Sequence, residues 1–189
     1  PYSPAGYWLS YQRCCRNNTI GNLINPGAVG ATYTIFLSGF AMQQCNNSPT
    51  FNNYPPVAIC KDFPLSFDHA ATDLDGDSLV YSLCHPYTGA SSANPAPNPP
   101  GAPPYATIPF SGGYSSGYPM PGAPGLSIDP QTGLLTGIPT AVGQYVVGVC
   151  VQEYSSSGTL LSTTLRDFQF NVYECENSVN AAIQSDFID

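Results

Sequence analysis

No window of this chain sustains a helical repeat of apolar residues; they come instead in short runs cut off by Gly, Pro and Asn. That pattern leaves few options, because a period of ~2 residues builds sheets and a period of ~3.6 builds helices. Ala31–Leu37, Leu79–Cys84, Gln144–Gln152, Thr159–Leu165 and Asp167–Tyr173 read as strands. In the last run Phe168, Phe170 and Val172 alternate with Gln169 and Asn171, so one face points to a core and the other to water. Short strands punctuated by turn residues predict an all-β sandwich.

Residues 88–125 interrupt the pattern. Ten of the 20 prolines lie between Pro95 and Pro124, with Tyr105, Phe110, Tyr114 and Tyr118 among them. Proline removes ladder donors, so this stretch cannot supply central strands. It is expected as a long ordered loop or as extended polyproline-like structure. Its tyrosines and prolines suit an inert packed cover, or a surface on which sugar rings stack.

The chain holds 12 acidic residues, and Asp73, Asp75 and Asp77 alternate within one short loop, with Gly76 between the last two. Carboxylates crowded in this way repel unless a cation or water separates them, and Ca2+ takes about six to eight oxygen ligands. The spacing argues against an EF-hand, whose loop glycine and closing glutamate would fall on Ser78 and Cys84. A calcium loop at one end of a sandwich fits better. Glu153, at the end of the Tyr145–Val151 strand, is the best candidate for a fourth ligand, with Asp68 and Asp167 as weaker candidates. The alternative is a solvated Asp/Gly turn that caps its own backbone. His69 and His85 have no shared partner in the sequence, and no CxxC or HxxxH pair points to zinc.

The run Gly125-Leu-Ser-Ile-Asp129-Pro-Gln-Thr-Gly133-Leu-Leu-Thr-Gly137-Ile-Pro139 reads as strand, tight turn, strand, with Asp129-Pro130 opening the turn and Gly133 free to take a positive φ. It resembles the immunoglobulin-like repeat of bacterial surface proteins, whose Leu-Ser-x-Asp-x-x-Thr-Gly-x-Leu-x-Gly-x-Pro run is followed by Gly-x-Tyr and a strand. Gly143-Gln144-Tyr145 and Val146–Val151 stand in those places. Cadherin-like members carry an Asp-x-Asp-Gly-Asp-x-Leu-x-Tyr-Ser-Leu segment upstream, similar to Asp73 to Leu83. Cys14-Cys15-Arg16-Asn17, Asn47-Ser48-Pro49, Pro55-Pro56-Val57 and Arg166-Asp167-Phe168-Gln169-Phe170 resemble the large secreted surface proteins of Bacteroidota, which are associated with gliding motility or type IX secretion. The resemblance implies an immunoglobulin-like or cadherin-like sandwich in a stalk or adhesin, and no catalytic activity.

On this reading residues 55–176 form one complete immunoglobulin-like domain. Residues 1–50 hold too few strands for a core of their own. They either finish an upstream domain or pack on the following one as accessory strands. Residues 177–189 serve as a linker or an exchanged strand, since Val179, Ala181, Ile183 and Phe187 share a face. Seven cysteines with few charges suggest an oxidising, extracellular setting. Cys84 is expected to pair with Cys150, bridging the two sheets, and Cys60 with Cys175, stapling the domain's ends. Cys45 is expected to join Cys14 or Cys15, leaving one cysteine for a partner outside the chain.

Net charge is −8, and Arg13, Arg16, Lys61 and Arg166 are the only basic residues. Nucleic-acid binding is therefore disfavoured, because phosphate neutralisation needs a basic patch. No apolar stretch approaches the ~18 residues of a membrane span. With neither an initiator Met nor a signal-like segment, the chain reads as a mature or excised piece of something longer. Asn17-Asn18-Thr19 and Asn46-Asn47-Ser48 fit the N-glycosylation pattern. No nucleophile elbow, P-loop or dinucleotide fingerprint is present. The expected function is a structural or adhesive module stiffened by calcium and disulfides, with neighbouring domains, copies of itself or surface glycans as partners. A fibre subunit joined by strand exchange through residues 1–15 or 178–189, and a carbohydrate-binding module, are the alternatives.

Overall fold

The computed structural model describes residues 2–175; the expectation of a linker or exchanged strand over 177–189 lies outside them. The elements in order are β1 (Tyr7–Arg13), β2 (Ala31–Leu37), α1 (Gly39–Gln44), β3 (Thr50–Phe51), β4 (Ala58–Cys60), β5 (Leu65–Asp68), β6 (Ala71–Thr72), β7 (Ser78–Leu83), β8 (Ser127–Ile128), β9 (Leu134–Gly137), β10 (Gly143–Tyr154) and β11 (Leu160–Tyr173). The larger sheet runs β1-β2-β11-β10-β7, antiparallel throughout, with β4 added in parallel to the end of β11. A smaller antiparallel sheet runs β5-β9-β8, and β3 pairs with β6 in a short ribbon. The chain is mostly β, as an all-β sandwich requires.

The core lies between these layers. Tyr145, Val147 and Val149 of β10 and Phe170 and Val172 of β11 meet Leu135 of β9, with Leu126, Met120 and Ile59 filling in. Phe170 and Leu135 are fully buried, and truncating Phe170 to Ala would cost roughly 3–5 kcal/mol. A second cluster sits on the other face of β10, where Val146 packs on Ile20, Leu23, Val29 and Ile108. β10 is thus covered on both sides, which is why Tyr145–Val149 reads as an unbroken apolar run and not as an alternation.

That second cover comes from the N-terminal residues. β2 pairs with β11 from Ser162↔Leu37 to Thr164↔Ile35. β7 pairs with β10 only from Val149 to Tyr154, so the edge of β10 beyond it needs other partners. Gly21 donates its amide to the Gln144 carbonyl at 2.8 Å. The buried Asn22 side chain donates to the carbonyls of Val146 and Pro119 and accepts from the Val146 amide. β1 and β2 are therefore built into the same sheet as β10 and β11, and Gly21 and Asn22 bond to the β10 edge. The Pro-rich segment also acts as a cover. Pro95 accepts from the Cys14 amide, Gly101 donates to Gln12 Oε1, and the Tyr105 hydroxyl meets Ser10 Oγ.

Four local expectations change. Thr159–Leu165 and Asp167–Tyr173 form one continuous strand, because nothing at Arg166 breaks the backbone and Asp167 is neutralised in place. A helix exists, but α1 has only six residues, too few to show a period; Ser38 caps it by accepting from the Ala41 amide at 3.1 Å. Cys84–Cys150 joins neighbouring strands of one sheet and does not bridge two, since Cys84 follows β7 directly and its amide bonds the Gly148 carbonyl. Cys60–Cys175 closes the end of β4 onto the residues after β11. Cys45 joins neither Cys14 nor Cys15: those two bridge each other beside Pro95, while Cys45 ends α1, exposed and free.

Candidate metal centre

The acidic loop lies between β6 and β7, at the end of the larger sheet. Gly76 takes φ +78° with open space around it, and so lets the loop turn within five residues. Asp73 shapes the turn: its Oδ1 accepts the amides of Asp75 (3.0 Å) and Asp77 (2.9 Å). Its Oδ2 is buried and has no hydrogen-bond partner. β7 and β10 are antiparallel with Glu153 opposite Leu79, which brings the far end of β10 to the loop. Glu153 lies on the same face as Val147, Val149 and Val151 and is fully buried.

The structure brings Asp73, Asp77 and Glu153 together, one carboxylate oxygen of each lying within 4.8 Å of the others. Asp75 is turned away, accepting from the Asn47 amide at 2.6 Å and from Asn47 Nδ2 at 3.1 Å. Glu153 accepts from Asn46 Nδ2 at 2.6 Å and from Ser162 Oγ at 2.5 Å. Asp68 lies elsewhere, accepting from the Ala70 amide and Asn53 Nδ2. Asp167 is held by Arg16, which donates to both its oxygens and also to the carbonyls of Gly30 and Tyr87. Cys14-Cys15-Arg16-Asn17 and Arg166-Asp167-Phe168, two of the stretches that carry the resemblance, meet in that buried ion pair.

The electrostatics of the centre are unbalanced. Burial, above all, raises the Glu153 pKa, with the Asp73 carboxylate adding to it; Ser162 and Asn46 pull the other way. Asp77 is also raised, first by desolvation and then by Asp73 and Asp75. The ion pairs among the described residues are Arg16–Asp167, Lys61–Asp62 and Lys61–Glu174, and none reaches these three acids. A hard divalent cation suits such a donor set: oxygen ligands only, one orphaned buried oxygen at Asp73, and charge to be neutralised. Asp73, Asp77 and Glu153 would hold it. A cleft of about 290 Å³ lined by Phe40, Gln44, Asn46, Asp75, Asp77 and Ser155 lies alongside.

Asn46, Asn47 and Ser162 were not legible as part of this centre. The asparagines read only as a glycosylation pattern, and a strand serine carries no signal of its own. The Asp129 turn is a separate feature: Asp129 Oδ1 accepts from the amides of Gln131 and Thr132 and from Thr132 Oγ1, and its pKa is lowered by those bonds. Gly133 follows at φ +74°, where a Cβ would come within 3.1 Å of Ala70. No protein-family model and no curated protein matches the chain.

Proposed function

We propose that this chain is a structural or adhesive module of a long extracellular bacterial surface protein, of the Bacteroidota type it resembles, stiffened by calcium and by disulfides. The supporting observation is the convergence of Asp73, Asp77 and fully buried Glu153 with no basic side chain to balance them. A bound Ca2+ would tie the acidic loop to β10. Through Asn46 and Asn47 it would also tie both to the segment after α1. The role is mechanical and not catalytic: the same acids accept hydrogen bonds that fix loops in place. The three disulfides fit an oxidising environment outside the cell. Among the described residues no helix is long and apolar enough to cross a membrane. Neighbouring modules or further copies of the protein are the expected partners.

The test is thermal melting in calcium and in chelator, with metal content measured on the purified protein. A ligand that binds only the native state must raise its stability, by about 2.7 kcal/mol at a hundredfold excess over Kd. An unchanged midpoint with no metal bound would sink the proposal.

A further inference from the structure

His69 is fully buried, and neither ring nitrogen has a hydrogen-bond partner. A buried polar group without a partner costs free energy and calls for a reason. The ring sits in an aromatic box. Phe51 of β3 meets it edge-on with centroids 4.9 Å apart, Phe67 of β5 meets it edge-on at 5.8 Å, and Phe168 of β11 stacks on it at 5.7 Å.

Phe51 is the wall of this box that the backbone holds least: its ladder, like that of β8 and β9, has two pairs, and it forms a sheet of its own. The β3–β6 ribbon pairs only Thr50↔Thr72 and Phe51↔Ala71, helped by Asn52 amide to Ala70 carbonyl and Thr72 Oγ1 to Asn52 Oδ1. Two charged groups act on the ring. Arg166 of β11 lies over Phe51, its guanidinium carbon 4.4 Å from the ring centroid, and also flanks Tyr54. Asp68, next in chain on β5, turns its carboxylate to the Ala70 amide and Asn53 Nδ2. The β8–β9 turn contributes only the Gly133 carbonyl, which accepts from the His69 amide. β3 and β6 carry no charged group toward the ring.

We propose that His69 is an acid-operated latch, whose protonation releases the β3–β6 ribbon from the sandwich before the sandwich itself unfolds. An imidazolium in this box has no acceptor and adds a second positive charge beside Arg166. Lifting Phe51 lets water reach it. Burial, with Arg166 adding to it, lowers the His69 pKa from 6.5 to about 4. The folded value is thus depressed, so the open form takes up the proton first. The closed ribbon loses about tenfold in its equilibrium per pH unit between ~6.5 and ~4, and the loss levels off below that. The proposal does not depend on a cation at the acidic centre, because its readout lies in His69 and the ribbon.

The test combines imidazole NMR titration, with His85→Gln to assign the two histidines, and native-state hydrogen exchange corrected for intrinsic rate. His69 should titrate near 4. Protection at the Asn52 amide should be lower than at the amides of Val147 and Phe170 throughout, and should fall roughly twenty- to thirtyfold from pH 7 to pH 5. His69→Phe, which fills the box without a titrating group, should abolish that fall. An ordinary titration near 6.5 would overturn the latch. So would equal protection at Asn52 and Val147, which would mean that the ribbon opens only with the whole sandwich, or an acid response kept by His69→Phe. The wild-type titration and exchange decide the matter even if that variant fails to fold.

Discussion

Glu153 on β10 and Asp167 on β11 are both acids that the larger sheet takes out of water, with Glu153 fully buried and the Asp167 side chain 2% exposed. Burial raises the pKa of each. Asp167 receives one of the four cations of the chain, Arg16, on both of its oxygens. Glu153 receives two more acids, Asp73 and Asp77. In a chain of net charge −8 the first arrangement is complete within the protein, whereas the second is balanced only by a proton or an external cation. One site therefore belongs to the fold, and the other makes the fold depend on its surroundings.

The largest expected effect breaks the complete site. Arg16→Met leaves Asp167 buried and unpaired and should cost about 3–5 kcal/mol in denaturant unfolding, equally in calcium and in chelator. The double variant Arg16→Met/Asp167→Leu should recover much of that loss, because the penalty comes from the uncompensated charge. A loss that depends on calcium would mean the two sites are not independent.

Next comes the calcium proposed for the incomplete site. Chelation should lower stability by about 2.7 kcal/mol if calcium stood at a hundredfold excess over Kd. Arg16→Met should show the same decrement, added to its own.

How much of this contrast was legible in the sequence follows from the range of the interactions. The acidic loop was legible because its three aspartates are local and their spacing encodes the turn. The Asp129–Gly133 turn was legible for the same reason. β2 and β10 were close to their observed ranges, because apolar runs between breakers report burial. Of the long-range pairings, Cys84–Cys150, Cys60–Cys175 and the approach of Glu153 to the acidic loop were legible; the polar ones that hold the loops were not. Nothing local to Arg16 says that it meets Asp167, 151 residues away. Nothing in Asn46 says that it meets Glu153. Asp75 looked equivalent to its neighbours by spacing, yet Asn47 claims it, and Asn47 comes from a different part of the chain. Cys45 looked pairable by count, while the adjacent Cys14 and Cys15 satisfied each other.

A smaller effect sharpens the contrast through pH. Glu153 and Asp77 have raised pKa values, so without metal the folded state holds protons that the unfolded chain has released. Chelated protein should therefore gain stability as pH falls from neutral through the raised values toward the ordinary carboxylate range, ~4, and lose it again as pH rises. His69 acts in the opposite direction between ~6.5 and ~4, so the comparison belongs in the His69→Phe background. Glu153→Gln removes the buried charge. It should raise the chelated midpoint at pH 7, flatten the acid response and abolish the calcium response. A midpoint lowered by Glu153→Gln in chelator would mean that the ionised carboxylate is already compensated within the protein, as Asp167 is.

The smallest effect concerns Asp75, which lies in the acidic loop but outside the cluster. Asp75→Asn keeps the side chain's size and leaves one oxygen to accept from Asn47. Its own stability should change by only about 0.5 kcal/mol, as expected of an exposed position. Its calcium response should survive, because Asp73, Asp77 and Glu153 remain. Asp73→Asn, made alongside, should lose that response, because it removes the charge of one of the three clustered acids. Melting midpoints of both variants in calcium and in chelator make the comparison directly. If Asp75→Asn loses the calcium response as completely as Asp73→Asn, then Asp75 turns from Asn47 to the metal on binding. The link from the acidic loop to the segment after α1 would then be broken by calcium and not reinforced by it.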